Sequence, residues 1–183
     1  KLTLFPANVE TSGEVSGQEM ETGKPLGAFV ANEADTTANA LAFDVVCTRG
    51  LYYANDSGSL SEMSVSFRCE ARQIDDYGTA LGDWMVLGSE VIKAATSTPQ
   101  RRSYRYAVLP GRYEARITRT DAKNTNSRAG QEICWASLRA YLEDAGTVYP
   151  GMTLLAVRIR ATNNISQQAS RKINVIATRK LPT

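Results

Sequence analysis

The chain has 183 residues, a formal net charge of +2, 43% hydrophobic residues and 22% charged residues, which is enough sequence to bury a core without metal ions or disulfides. It contains no histidine, and this absence excludes the Ser-His-Asp and Cys-His catalytic groups together with most zinc sites. No stretch approaches the roughly 20 apolar residues that a membrane-spanning helix needs, so we expect no membrane insertion.

The first forty residues carry weak structural signals, and the first strong one follows them. Short strands are predicted at residues 2–5 and 28–30. Residues 64–72 place Val65, Phe67 and Cys69 in alternation with polar side chains. A period of two predicts a strand with one buried face.

Turn chemistry and further alternation continue along the chain. Asp75, Asp76 and Gly78 predict a turn, and extended pieces follow at residues 84–87 and 90–94. Residues 103–108 and 112–120 are two alternating runs joined by Leu109-Pro110-Gly111, which suits either a hairpin-like connection or a sheet-crossing corner. Residues 121–130 predict an exposed loop, and strands are expected at 133–142, 154–161 and 173–181.

These runs predict an all-β fold. Seven strand-like runs between residues 41 and 142, with turns every ~8–12 residues, match an immunoglobulin or fibronectin-III-like β-sandwich. We expect a tyrosine corner at Tyr113, just after Pro110 and Gly111, and we interpret Trp84 as a core or sheet-edge aromatic.

The same pattern of strand-like runs predicts the domain organisation. The sandwich is assigned to residues 41–144. Residues 1–40 and 145–183 are flanking β segments that could pair with each other, which would make the sandwich an insertion in one discontinuous domain.

Charge is unevenly distributed along the chain. Residues 1–100 hold 6 Lys and Arg against 14 Asp and Glu, whereas residues 101–183 hold 15 against 5. A basic half can indicate nucleic-acid binding. We favour instead solvent-facing positions of strands whose charges the acidic half complements in the fold, because no stacking platform accompanies them.

Candidate reactive groups are few, and we expect no enzyme activity, cofactor or metal. The three cysteines are Cys47, Cys69 and Cys134, which we interpret as reduced core residues, with a Cys47–Cys69 or Cys69–Cys134 bridge as the alternative. The carboxylate pairs Asp75-Asp76 and Glu143-Asp144 lie in turn-like sequence and lack the spacing of a calcium loop. Phosphate-binding glycine motifs are absent.

Several long phrases occur in a recognisable order. They include residues 27–30, 41–46, 49–53, 72–76, 82–84, 98–101, 110–114 and 171–182, and most specifically Arg119-Thr120-Asp121-Ala122-Lys123, Ser127-Arg128-Ala129-Gly130 and the run at 153–164. Together they resemble the central part of the tail-tip host-specificity proteins of lambda-like phages and prophages, the protein J family. The resemblance covers nearly the whole chain.

The resemblance implies a structural module of the tail-tip hub that acts in tail assembly and host attachment. It implies other tail proteins and copies of the same chain, in a trimer, as partners, and a place in the virion after production in the bacterial cytoplasm. It supplies no catalytic residues. Because the chain begins at Lys1, we expect it to be part of a longer protein.

Two alternatives stay open, a carbohydrate- or receptor-binding sandwich and a bacterial adhesin domain. In a binding sandwich the loops would form the recognition surface. A host cell-surface receptor is then a further partner. The candidate partner-facing residues in these loops are Asn55, Asp56, Tyr77, Asn124, Asn126 and Arg128.

Overall fold

The computed structural model of the protein describes residues 9–142, and every regular element in that range is a β-strand. The predicted all-β class is therefore confirmed. The strands are β1 Val9–Thr11, β2 Gln18–Glu19, β3 Pro25–Val30, β4 Ala38–Cys47, β5 Tyr52–Ala54, β6 Leu60–Ser61, β7 Met63–Ile74, β8 Met85–Ala94, β9 Gln100–Arg119, β10 Ala129–Gly130 and β11 Cys134–Leu142.

Two antiparallel layers form the sandwich. The first layer has β4 in its interior, with β11 on one side and the first half of β9 on the other, and β1 and β2 pair with the far side of β11. The second layer has the order β3, second half of β9, β7 and β8. A short sheet of β10, β5 and β6 lies apart from both layers.

Strand β9 crosses from one layer to the other at the predicted corner. Ala38 of β4 pairs with Gly111, whereas Ala40 pairs with Ala107, so residues 108–110 stand opposite the single residue Asn39. The extra residues bend the strand, as in a bulge, and leave Leu109 77% exposed. The sequence allowed either a hairpin-like connection or a sheet-crossing corner here, and the structure has the sheet-crossing corner.

Tyr113 lies buried just after this corner. Its hydroxyl donates to the carbonyl oxygen of Leu109 at 2.7 Å, four residues upstream, and the amide of Gln73 lies 3.2 Å from the same hydroxyl. The backbone N–H of Tyr113 donates to the side-chain oxygen of Asn32 at 3.0 Å. These bonds tie the corner to strand β7 and to the loop that follows β3.

We predict that Tyr113→Phe lowers the unfolding free energy by about 1 kcal/mol, because it removes the hydroxyl bond and leaves the ring in place. The exposed Leu109 can take water on its carbonyl, which limits the loss. Urea denaturation measures the change. Tyr77→Phe is the matched control, since Tyr77 is 96% exposed, and an equal effect in the two variants would contradict the assignment.

The core between the layers is built around Trp135. Its ring stacks on Phe43 at a centroid distance of 5.4 Å and meets Phe29 at 5.5 Å. Strand β4 turns Leu41 and Phe43 toward this core. Sequence reasoning named Trp84 as a core or sheet-edge aromatic and did not single out Trp135; Trp84 lies next to the edge strand β8, outside the core cluster.

The first described residues add strands to the same framework. Strand β1 pairs with β11, and β3 pairs with the second half of β9. Ion pairs join the acidic and basic parts of the sequence, such as Arg116 with Glu70 at 3.0 Å and Arg139 with Asp44 at 2.7 Å. A pairing of residues 1–40 with 145–183 stays a prediction, because the strands expected at 2–5, 154–161 and 173–181 lie outside the described residues.

Gly50 occupies a position that no other residue fits without strain. Its φ is +81°, and a Cβ there would lie 2.2 Å from the carbonyl oxygen of Thr96. The close approach is required because Leu51 exchanges backbone hydrogen bonds with Thr96.

We predict that Gly50→Ala destabilises the protein by about 2–3 kcal/mol, from the left-handed conformation and the backbone clash together. Gly58→Ala is the control, since Gly58 has a φ of +79° but nothing within 4 Å of the added methyl group. Thermal unfolding should show the larger loss in Gly50→Ala. Equal losses would mean that the clash relaxes at no cost.

Candidate partner-facing surface

The candidate partner-facing residues lie in three loops, at 55–59, 77–82 and 124–128, and the loops at 55–59 and 124–128 meet at one end of the sandwich. Strand β10, which follows the loop at 124–128, pairs with β5, which precedes the loop at 55–59. Arg128 contacts Asp56 at 2.5 Å, and the backbone N–H of Ala54 donates to the carbonyl oxygen of Arg128 at 3.0 Å. These loops therefore form one surface, which we call the paired loops.

Asparagine side chains hold the paired loops in shape. The amide of Asn55 donates to the hydroxyls of Ser59 and Ser61 at 3.0 and 2.8 Å. The side chain of Asn124 accepts from the N–H of Asn126, whose own side-chain oxygen accepts from the N–H of Arg128. Such bonds are those that make Asn common in turns, so these residues serve local structure, and that they face a partner stays a prediction.

A buried ionic network lies beneath the loop at 121–131. Arg119 is 0% exposed, and its guanidinium donates to both carboxylate oxygens of Asp121, at 2.9 and 3.2 Å, and to the carbonyl oxygen of Gln131 at 2.9 Å. Asp121 also accepts from the backbone N–H of Ser66 at 2.8 Å. This network positions the start and end of the loop.

Sequence reasoning missed this network and read residues 121–130 as an exposed loop. The available signal was Arg119 two residues before Asp121, at the end of a strand whose other inward positions are apolar. An arginine at such a position needs a carboxylate partner when it is buried. The side chain of Asp121 is only 23% exposed, whereas residues 122–128 are exposed.

The third predicted loop lies at the opposite end of the sandwich. Strand β7 runs from the paired loops to Ile74, and its twelve residues span about 38–41 Å at 3.2–3.4 Å per residue. Asp75 then accepts from the N–H groups of Thr79 and Tyr77, which lowers the pKa of its carboxyl. Tyr77 projects almost fully into solvent at the tip of this turn. The structure thus divides the predicted residues between two separate surfaces.

Aromatic side chains are mostly engaged within the fold. Tyr52 packs against Gly130, and the hydroxyl of Tyr53 accepts from the amide of Asn126 at 3.2 Å. Sugar recognition usually needs exposed aromatic faces for stacking, and of the loop aromatics Tyr52, Tyr53 and Tyr77 only Tyr77 is exposed.

Trp84 lies between two arginines of the second layer. The guanidinium of Arg116 lies 4.2 Å from the ring centroid and that of Arg72 lies 4.6 Å away. Glu70 bridges to Arg116 at 3.0 Å, and Glu114 contacts Arg72. The cation–π contacts and ion pairs fasten the start of β8 to β7 and β9, which is a structural role.

No group of three or more metal-ligating side chains occurs within residues 9–142. The cysteines there are free thiols, with Cys47 and Cys69 buried and Cys134 half-buried. Burial raises the pKa of Cys47 to about 11 and that of Cys69 to about 12. Thiols in such surroundings stay protonated and are poor nucleophiles.

We predict that iodoacetamide at about pH 8 modifies Cys134 first and leaves Cys47 and Cys69 unmodified until the protein is denatured. Because the folded state keeps these two thiols protonated, their contribution to stability is complete below the ordinary thiol pKa of 9.0 and declines as the pH rises toward 11 and 12. Mass spectrometry of labelled peptides checks the order of reaction. Fast labelling of Cys69 in the native protein would contradict it.

Residues 9–142 contain no helix that is long and apolar enough to cross a membrane.

Comparisons with known proteins place the domain. A search of curated proteins finds no match. A chain from the crystal structure of the T13 IBDV viral particle matches with a TM-score of 0.42 and 11% identity, covering 76% of this chain and 34% of that one. This chain therefore spans about a third of the length of that viral chain.

The family comparison is the informative one. The family model described as "Tip attachment protein J, FNIII-A domain" matches residues 12–144. The match contains β2 to β11, the buried network and both loop surfaces. The fibronectin-III-like fold predicted from the alternation and the corner tyrosine is the fold of this family. The chain belongs to the FNIII-A domain family of the phage tail tip attachment protein J.

Proposed function

We propose that this domain is a structural module of a phage or prophage tail-tip protein that acts through protein–protein contacts in tail assembly and host attachment. The observation that carries the proposal is the family match over residues 12–144. The side chains agree with it, because the charged and aromatic clusters described above are satisfied within the fold. A scaffold of this kind presents surfaces to neighbours and carries out no chemistry.

The partners in this proposal are other tail proteins and copies of the same chain, with three copies in the intact tip. The domain would act in the virion after synthesis in the bacterial cytoplasm. We propose no cofactor, no enzyme activity, no nucleic-acid contact and no membrane insertion.

A receptor-binding role is the second candidate, and one observation favours it. Tyr77 is 96% exposed and Leu81 is 65% exposed on the same turn. Loops on such a scaffold often carry binding residues, and these two side chains offer apolar contact area to a protein surface. The occupant would be a protein surface rather than a sugar.

Phage genetics separates the two candidates. In a phage whose tip protein carries this domain, Trp135→Ala should prevent formation of normal tails, whereas Tyr77→Ser with Leu81→Ser should leave tail number and adsorption to cells unchanged. Electron microscopy counts the tails and a binding assay measures adsorption. Normal tails with lost adsorption in the loop variant would favour receptor binding, and infectious tails without a folded domain would exclude a structural role.

A further inference from the structure

Three arginines lie on the outer face of the first layer, the face that points away from the core. In an antiparallel pair, residues directly opposite each other point to the same face of the sheet. Arg105 of β9 and Arg139 of β11 are both paired with Ala42 of β4, and Arg101 of β9 is paired with Val46. The residues next to Ala42 and Val46 along β4 belong to the core cluster, whereas these two do not. The arginines therefore point outward.

The surface between these arginines is apolar. Ala40, Ala42 and Val46 of β4 are only 4%, 1% and 8% exposed, although they are on the outer side of the sheet. The guanidinium of Arg105 reaches across β4 and lies 3.8 Å from the ring centroid of Tyr141 on β11. A strand that is apolar on both sides is typical of a sheet covered on both sides. We call this apolar surface, together with Arg101, Arg105 and Arg139, the arginine face.

The arginine face carries more positive charge than its own carboxylate neutralises. Asp44, on the same face, is paired with Arg139 at 2.7 Å. Arg101 and Arg105 are exposed, and neither forms an ion pair with a carboxylate among residues 9–142. The Nε of Arg139 is buried and has no hydrogen-bond partner in that range. The face thus presents two unpaired positive charges and an N–H group without an acceptor.

Carboxylates of the second layer do not reach this face. Glu90 of β8 accepts from the hydroxyl of Tyr106 at 2.8 Å, and Tyr106 is paired with Leu41, a core residue. Glu90 therefore lies on the core side of β9, away from Arg101 and Arg105.

The outer face of the second layer has a different arrangement. There Arg72 pairs with Glu114, Arg116 pairs with Glu70, and Trp84 lies between the two arginines. These arginines and their aromatic neighbour are satisfied by one another, whereas those of the arginine face remain available to a partner.

We propose that the arginine face docks an acidic segment of another protein, whose carboxylates pair with Arg101 and Arg105 and whose apolar side chains cover Ala40 and Ala42. Charge complementarity requires a negative partner, and a guanidinium binds a carboxylate through two parallel hydrogen bonds. Two copies packed through this same face would bring their arginines together, which disfavours self-association. The proposal rests on the proposed function, because it names the surface that would meet another tail protein.

A protein fits this face better than a nucleic acid does. Single strands bind to proteins mainly through bases stacked on aromatic rings and phosphates held in a basic groove. The aromatic ring on this face is Tyr141, and the guanidinium of Arg105 lies against it. The apolar surface along β4 offers contact to aliphatic side chains instead.

Binding of a defined acidic peptide to the full 183-residue chain tests the proposal. The probe is a fluorescein-labelled peptide in which Glu and Val alternate with a Ser between each pair, so that an extended chain presents both on one face. Fluorescence anisotropy measures its affinity, and backbone amide chemical shifts locate its site. We expect the shifts to change in β4, β11 and the first half of β9. The same peptide with Gln in place of Glu should bind about tenfold more weakly, and with Ser in place of Val about threefold more weakly.

Charge removal on the arginine face should weaken binding of the peptide. Arg101→Gln with Arg105→Gln should bind it about tenfold more weakly than the parent chain. Lys24→Gln with Lys93→Gln is the matched control, because it removes the same net charge at exposed positions outside the face. The control should bind within about twofold of the parent, since distant surface charges are screened by salt. Circular dichroism melting confirms that each variant is folded.

Equal affinity for the Glu and Gln peptides, equal losses in the arginine variant and the lysine control, or shift changes confined to other strands would overturn the docking proposal. Tighter binding of a labelled oligo-thymidine strand than of the acidic peptide, lost in the same arginine variant, would overturn it in favour of a nucleic acid. Self-association of the parent chain that the arginine variant abolishes would overturn it in favour of a second copy.

The proposed function would survive each of these results if phage tails still required the folded domain. Failure of the phage experiment, with the peptide bound as expected, would instead remove the function and leave the docking face.

Discussion

Trp135→Ala is expected to lower the unfolding free energy by about 3–5 kcal/mol, the range for deleting a large aromatic side chain from a packed core. The side chain is completely buried, and its ring contacts two other aromatic rings, on Phe43 and Phe29. The indole N–H also donates to the carbonyl oxygen of Ser137 at 3.0 Å. Truncation therefore leaves a cavity in the centre of the sandwich and an unpaired carbonyl.

The loss is a large fraction of the roughly 5–15 kcal/mol that stabilises a typical domain. Urea denaturation measures it as a fall in the midpoint at unchanged slope. Trp84→Ala is the matched control, because the same side chain there is half-buried between two arginines outside the core. Its expected cost is about 1–2 kcal/mol. A cost for Trp84→Ala equal to that for Trp135→Ala would contradict the assignment of the core.

Asp121→Ala is expected to cost about 3–5 kcal/mol, because it leaves the fully buried guanidinium of Arg119 without its counter-charge. The carboxylate also accepts hydrogen bonds from the backbone of Ser66 and the side chain of Gln131. The Ser66 N–H would lose this acceptor, whereas the Gln131 amide would keep its bond to the carbonyl oxygen of Ser64. Hydrogen exchange should show faster exchange at Ser66 and in the loop at 121–131.

A double variant distinguishes loss of a charge partner from loss of packing. Arg119→Met combined with Asp121→Ala should be more stable than Asp121→Ala alone, because it removes the unpaired charge. Lys123→Ala is the control for an exposed ion pair, the one with Glu19 at 2.5 Å, and should change stability by less than about 1 kcal/mol. A double variant less stable than either single one would show that Arg119 contributes mainly through its other contacts.

The alternation of apolar and polar residues was sufficient to predict most strands. Residues 64–72 and 112–120 fall within β7 and at the end of β9, and residues 133–142 correspond to β11. Where a bulge occurs, an alternation of two residues no longer predicts which side chains face the core. Trp135 and Leu138 both face the core although they are three residues apart, because the pairing of β11 with β4 shifts between Trp135 and Ser137.

The sequence also could not say which loops come together. Asn55 and Asn126 are 71 positions apart, yet the pairing of β5 with β10 brings their loops into one surface. Tyr77, close to Asn55 in sequence, is carried to the other end by the length of β7. Such neighbours depend on long-range pairing, which local periodicity does not encode.

The sequence by itself determined the all-β class, the corner at Pro110 and Gly111 with its tyrosine, and the absence of histidine chemistry, because each depends on residue type or local alternation. Only the tertiary structure decided which tryptophan lies in the core and that Arg119 is buried against Asp121. Those features arise from strand register and from the crossing of β9 between layers, which bring together residues far apart in the chain.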